Sequence, residues 1–271
     1  MMSLKLIFPV LAALVMAGGQ VFSQSDLGSQ LAELTTLKQK VADSVTRTRV
    51  DALHRVWTIG LASTHPEVKS SALDLLREPV GSASDHIRMP AVYAIAEIAN
   101  STENAQIKIK ALAALREPLQ ASQLPIRNAA IDALNSITRS GSRGEIALAA
   151  VKELGPPIQS VNNGVRIPAI NAIVRAVEGS QNDAACDAAI DLLVAPLNSE
   201  ALIGGMEVRM MAVAAVEKIG LGASGVLTKS KAMGILQSYA AKSSWEPEAK
   251  RRAQEAAANI QSSIKEPRNR L

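Results

Sequence analysis

The chain has 271 residues, of which 48% are hydrophobic and 2% aromatic, and its formal net charge is +4. The hydrophobic fraction is that of a globular protein and excludes a largely disordered chain. The low aromatic content disfavours β-sandwiches, propellers and the aromatic platforms that bind single-stranded nucleic acid. The chain contains one Cys, which excludes an intrachain disulfide and a Cys-rich zinc site.

The N-terminus has the pattern of a secretory signal peptide. Lys5 provides a positive charge, an apolar stretch runs from Leu6 to Ala17, and small and polar residues follow. The stretch is shorter than the ~20 residues that a membrane-spanning helix needs. We predict a signal peptide over residues 1–23, with cleavage after Ser23. The protein is then exported to the periplasm, the cell envelope or the extracellular space; retention of the segment as an anchor is the alternative.

A repeat with a spacing of mostly 39 residues extends over the rest of the chain. In each copy a basic residue is followed after three, seven and ten positions by small or aliphatic residues, which places one stripe on one face of a helix, the B helix. The basic column consists of Arg49, Arg88, Arg127, Arg166, Arg209 and Lys250. An earlier leucine column, with an aliphatic residue three positions before each leucine, predicts a second helix, the A helix. The leucine column consists of Leu37, Leu76, Leu115, Leu154, Leu193 and Leu236.

Four prolines follow the leucine column by three residues, at Pro79, Pro118, Pro157 and Pro196. Proline lacks an N–H and clashes with the preceding turn, so we predict that each of them ends an A helix. No stretch alternates with a period of two residues, so no strand is predicted. One helix pair cannot bury its apolar face alone, and stacking of the copies predicts an all-α solenoid. The predicted repeat domain covers residues 24–265 and is followed by a basic tail at 266–271. Its repeats cover approximately residues 26–60, 61–100, 101–140, 141–178, 179–221 and 222–265.

The repeats resemble those of the HEAT-repeat family over nearly the whole predicted domain. The resemblance lies in the Leu-Arg-Glu-Pro turns at Leu76–Pro79 and Leu115–Pro118, and in the B-helix openings at Leu124–Arg127 and Met206–Arg209. It implies a right-handed α-solenoid of about six HEAT-like helix pairs. It also implies that the basic column holds successive turns together and that the B helices line a concave face that binds a protein partner.

Residues with the spacing of a catalytic or metal site are scarce. Gly220–Gly225 matches the glycine spacing of dinucleotide-binding loops, but no strand precedes it, so we interpret it as a turn between repeats. His54, His65 and His86 lack metal-ligand spacing and the His-Glu pairs of HEAT-like iron enzymes. We therefore predict no catalytic residue, no metal, no cofactor and no enzymatic activity. A HEAT-like lyase or cofactor-handling enzyme, with a site assembled from distant residues, is the alternative. Cys186 is interpreted as a packed thiol, with an intermolecular disulfide as the alternative.

The surface that we predict to bind a protein partner follows the B helices, one, five and eight positions after each basic residue. In the first two repeats these positions include what we call the N-terminal patch: Val50, His54, Trp57, Met89 and Tyr93. The alternative is that the segment before residue 47 folds over Trp57. A further alternative is an anionic ligand, such as a lipid, glycan or nucleic acid, bound by basic residues from Lys250 to Arg270. Peripheral association with a membrane or envelope fits the same residues, whereas nucleic acid is not an expected partner of an exported protein.

Overall fold

A computed structural model describes residues 27–139, 144–198, 205–242 and 247–265. The predicted signal peptide at 1–23 and the predicted tail at 266–271 lie outside these residues. The described residues form helices and no strand. The helices are α1 (Leu27–Val41), α2 (Thr46–Ala62), α3 (Pro66–Val80), α4 (Asp85–Asn100), α5 (Ala105–Ala114), α6 (Arg116–Leu119), α7 (Leu124–Arg139), α8 (Gly144–Glu153), α9 (Gly155–Ile158), α10 (Asn163–Val177), α11 (Asp183–Leu197), α12 (Gly205–Gly222), α13 (Val226–Lys242) and α14 (Pro247–Lys265).

These helices form six successive A–B pairs, which we call units 1 to 6. The B helices are α2, α4, α7, α10, α12 and α14. The A helices are α1, α3, the pair α5 and α6, the pair α8 and α9, α11 and α13. Each B helix packs against the B helix of the next unit, and the A helices do the same. This single row of stacked pairs confirms the all-α solenoid. Helix α2 extends to Ala62 and α12 to Gly222, slightly past the predicted repeat boundaries at 60 and 221.

The repeated prolines do not end the A helices in the predicted way. Pro79 lies inside α3 and Pro196 inside α11, and each helix ends one residue later. In units 3 and 4 the A helix breaks earlier, at Leu115 and Leu154, and the proline lies in the short helix that follows. A proline in the last turn removes one backbone hydrogen bond, and the last turn of a helix has few such bonds. It therefore weakens the end of the A helix without setting the final residue.

The repeated apolar columns form one continuous core. The leucine column is buried in all six units, and so are the alanines three positions after the basic column. The A helices of units 2 to 6 contribute a further alanine column, which we did not predict, and none of its members is accessible to solvent. These residues are Ala72, Ala111, Ala150, Ala189 and Ala232. Small side chains at these positions let neighbouring helices approach closely.

Two B-helix glycines mark tight contacts between units. A Cβ atom added to Gly220 would lie 2.9 Å from the Cβ of Ala232 and 2.7 Å from the Cδ1 of Ile260. Gly60 occupies the same position of unit 1, and a Cβ atom there would lie 2.9 Å from the Cβ of Ala72. A side chain at either glycine would therefore push the next unit away.

This packing corrects the interpretation of Gly220–Gly225 as a turn. Helix α12 continues to Gly222, and only residues 223–225 connect it to α13. The first glycine of the run is needed because no side chain fits between units 5 and 6. It is a helix-packing residue of α12.

Candidate functional site

The predicted binding stripe is exposed along only part of its width. Residues five positions after the basic column are exposed in every unit except unit 2, where Tyr93 is half-buried. Residues eight positions after it are buried in three units, where they are Ala96, Asn135 and Glu217. The prediction that position eight is exposed is therefore wrong in units 2, 3 and 5. The accessible B-helix surface is centred on position five.

The N-terminal patch lies on α2 and α4. Val50 and His54 are exposed, whereas Trp57, Met89 and Tyr93 are half-buried and pack against the core. The ring of His54 meets that of Trp57 edge to face, with 5.5 Å between the ring centroids. Of the segment before residue 47, the described residues 27–46 leave part of Trp57 exposed. The patch thus presents aromatic and apolar surface from two adjacent units.

Trp57 is held in place by a carboxylate of the next unit. Its Nε1 donates a hydrogen bond of 3.0 Å to Oε2 of Glu97 on α4. Glu97 is half-buried, and burial raises the pKa of its carboxyl group, although the hydrogen bond from Trp57 acts in the opposite direction. Glu97 was not predicted from the sequence because it lies nine positions after Arg88, one position outside the stripe.

A second carboxylate lies near Tyr93. Asp132 is exposed on α7, and its negative charge, together with burial of the ring, raises the pKa of the Tyr93 hydroxyl. Burial is the larger of the two causes. The B helices of units 1 to 3 therefore combine aromatic rings with acidic groups.

The basic column joins the A helix of its own unit to the following unit. Arg88 is buried and donates from Nε to the carbonyl of Val80, the last residue of α3, at 3.0 Å. Its Nη1 reaches Oε1 of Gln123 in unit 3 at 3.0 Å. Arg49 contacts the last carbonyl of α1 at 3.0 Å and Glu78 of unit 2 at 2.8 Å. These bonds satisfy a carbonyl that the helix end leaves unpaired, and they place positive charge at the negative end of the helix dipole.

Other members of the column vary around this arrangement. Arg166 donates from Nε to the carbonyl of Ser160, two residues after α9, at 2.7 Å. The Nε of Arg127 is buried without a hydrogen bond, and Lys250 is half-buried in the last unit. Arg209 is also buried and has at least one polar or electrostatic interaction within the protein. The geometry of Arg49, Arg88 and Arg166 supports a structural role for the column.

Buried lysines form a second basic column, which the sequence analysis missed. The Nζ of Lys69 donates to the carbonyl of Gly60 at 3.0 Å and to the Oγ of Ser101 at 2.6 Å. Burial lowers the pKa of Lys69. Lys108, 39 residues later, is fully buried and lies 3.7 Å from the carboxylate of Glu103. The period of the repeat is the signal that could have revealed these lysines at the start of α3 and α5.

The predicted anion-binding residues at the C-terminal end are partly engaged within the chain. Arg251 pairs with Glu255 at 2.7 Å, and Arg252 donates to Glu217 on α12. The basic residues after Lys265 lie outside the described residues. Within the described ranges, no helix combines the length and apolar character needed to cross a bilayer.

Groups suited to a metal or a reactive thiol do not assemble in the described part of the chain. No three His, Cys, Asp or Glu side chains there are close enough to share a metal ion. Cys186 is buried, and burial, together with the charge of Asp183, raises the pKa of its thiol. Burial keeps the sulfur from a second chain, which agrees with the interpretation as a packed thiol.

No protein-family model matches the sequence, and no curated protein sequence matches it. Solved structures do. The N-terminal domain of MAST/Orbit is 16% identical, with a TM-score of 0.53, and the match covers 85% of this chain and 97% of that one. The TOG-domain protein crescerin is 12% identical, with a TM-score of 0.53 and coverage of 83% and 88%. An archaeal HEAT-like repeats protein from Thermococcus onnurineus NA1 is 14% identical, with a TM-score of 0.47 and coverage of 85% and 88%. The MAST/Orbit and crescerin structures, with TM-scores above 0.5, show that the chain shares their fold, and with its six stacked helix pairs this is a HEAT-like repeat fold.

Proposed function

We propose that the protein is an exported, non-catalytic scaffold or adaptor that binds another protein through its N-terminal patch. One observation carries this proposal. Among the described Trp, Tyr and Phe residues, Tyr239 is buried in the core, while Trp57 and Tyr93 reach the surface on adjacent B helices. Aromatic residues that are partly exposed, and whose rings are held by packing against the core, are typical of the centres of protein interfaces.

Binding is tested by placing a photo-crosslinking residue at His54 in the producing cell. The matched control has the same residue at Leu227, which is 85% exposed at the start of α13 and lies outside the patch. We expect a protein adduct from position 54 and none from position 227. The Trp57→Ala/Tyr93→Ala variant should lose the adduct while retaining its helical circular dichroism. Adducts of equal yield at both positions, or adducts that persist in that variant, would reject the patch.

Export is supported by the charged and apolar start of the chain, and it needs a separate measurement. Cell fractionation combined with mass spectrometry of the N-terminus should find the protein outside the cytoplasm, beginning at Gln24. A cytoplasmic protein that retains residues 1–23 would contradict export without affecting the proposed binding surface.

A further inference from the structure

The carboxylate of Glu97 is half-buried beside the N-terminal patch, and no cation of the described residues pairs with it. The structure gives this side chain one hydrogen bond, from Trp57 to Oε2. No Lys or Arg of the described residues lies within ion-pair distance of it. A half-buried carboxylate without a cation has lost part of its hydration, and no ion pair replaces the lost interaction with water. It is therefore a favourable place for a positive group supplied from outside.

A buried glutamate at the opposite end of the solenoid does have a cation as its partner. Glu217 on α12 is buried, and its two oxygens accept hydrogen bonds from Arg252 and from the Nδ2 of Asn259, the latter at 2.7 Å. Both donors come from the next B helix, α14. An arginine side chain can thus pair with a buried glutamate in the layer of B helices.

The B helix that follows Glu97 offers no such cation. Glu97 lies nine positions after Arg88, whereas Glu217 lies eight positions after Arg209, so the two carboxylates are not at equivalent positions of their helices. On α7 the positions equivalent to Arg252 and Asn259 are Ala129 and Ser136. Ala129 has no polar group, and the Oγ of Ser136 accepts a hydrogen bond of 2.7 Å from Asn100. Neither of these two positions of α7 supplies a cation to the carboxylate of Glu97.

The surroundings of Glu97 favour a guanidinium group over an ammonium group. The ring of Trp57 is hydrogen-bonded to Glu97, and Tyr93 lies one helical turn before it on α4. Arginine stacks on aromatic faces and pairs with carboxylates through a planar fork, whereas lysine offers a strongly hydrated point charge. Asp132, whose charge acts on Tyr93, adds negative potential to the same surface.

We infer that the protein segment that docks on the N-terminal patch inserts an arginine side chain that pairs with Glu97, beside the rings of Trp57 and Tyr93. This inference rests on the proposed function and specifies the chemistry of the partner. The apolar positions Val50 and Met89 contact the rest of the segment.

The test uses a phage-displayed library of 12-residue peptides selected against the purified protein. The same selection is performed with Glu97→Gln, whose amide oxygen can still accept from Trp57, and with Glu207→Gln as a control on an exposed carboxylate of another B helix. We expect selected peptides to be enriched in arginine with the wild type and with Glu207→Gln, and to lose that enrichment with Glu97→Gln. Asp132→Asn, an exposed substitution, provides a second variant if Glu97→Gln does not fold.

Affinities of the best peptide, measured by fluorescence anisotropy, then separate the two proposals. Replacing its arginine by citrulline, which is neutral and of similar shape, should weaken binding to the wild type about tenfold and leave binding to Glu97→Gln nearly unchanged. Peptides that need Trp57 and Tyr93 but not arginine would overturn the inference and leave the proposed function standing. The absence of any selected peptide that depends on Trp57 and Tyr93 would count against both.

Discussion

Replacing Gly220 by alanine tests whether the helices of units 5 and 6 are packed as closely as the structure shows. The new Cβ atom would lie 2.9 Å from the Cβ of Ala232, whereas carbon atoms in good contact are about 3.5–4.0 Å apart. The Cδ1 of Ile260, at 2.7 Å, ends a flexible side chain and can turn away, but the Cβ of Ala232 moves only with its helix. Overpacking of this kind costs about 1–3 kcal/mol.

Alanine also favours the helical conformation over glycine by about 1 kcal/mol, so the net loss of unfolding free energy should be about 1 kcal/mol. Gly234→Ala on α13 is the matched control, because a Cβ atom there meets nothing within 4 Å. It has the propensity gain without the clash and should stabilise the protein by about 0.5–1 kcal/mol. For a chain of this size each kcal/mol shifts Tm by about 2–4 °C.

Thermal unfolding followed by circular dichroism measures both variants. We expect Gly220→Ala to lower Tm and Gly234→Ala to raise it. In an Ala232→Gly background the clash is relieved, so Gly220→Ala should no longer destabilise the protein. An equal rise of Tm for the two alanine variants would refute the close contact.

Three further predictions concern the polar contacts between and within units. Arg88→Met should lower the free energy of unfolding by about 1–3 kcal/mol, because the last carbonyl of α3 loses its hydrogen-bond donor. Urea unfolding should show no such loss for the control Arg77→Met, because Arg77 is an exposed arginine on α3 itself. The lowered pKa of Lys69 means that the folded chain binds fewer protons than the unfolded chain between that pKa and the ordinary value of 10.5. Stability should therefore rise as the pH rises through this window, and pH-dependent urea titrations of Lys69→Met should lack that contribution. Glu217→Ala should accelerate hydrogen exchange in α14 selectively, because the last unit loses two hydrogen bonds to its neighbour; a uniform increase along the chain would contradict this local role.

The period of the sequence predicts the helix pairs and the core well, because the same apolar columns recur in every unit. Leu76 and Ala91 illustrate this, since both were assigned to the core from spacing alone and both are fully buried. Exposure of the B-helix surface was harder to predict. Position eight is buried in units 2, 3 and 5 and at least partly accessible in the others. Its burial depends on how closely successive B helices pack, which a single-helix pattern does not contain.

The spacing of residues in the sequence does not predict which polar side chains meet between units. Trp57 and Glu97 are 40 residues apart, and so are Lys110 and the Ser70 hydroxyl that it contacts at 2.7 Å. A separation close to one repeat is the common signal of such pairs, but most pairs of polar residues at that distance do not meet. Their identification requires the rotation and translation that relate one unit to the next.

The two glycine contacts also affect how the solenoid opens at its ends. In a row of stacked units the first and last have one neighbour each, so they are the units from which unfolding starts most readily. Gly60 lies at the junction of units 1 and 2, and Gly220 at the junction of units 5 and 6. These two contacts thus join the first and the last described unit to their neighbours, and they oppose fraying at both ends of the described row. At the N-terminal end this contact keeps α2, which contains Val50, His54 and Trp57, packed against α4. The surface that we propose to bind a partner is therefore ordered in the unbound protein.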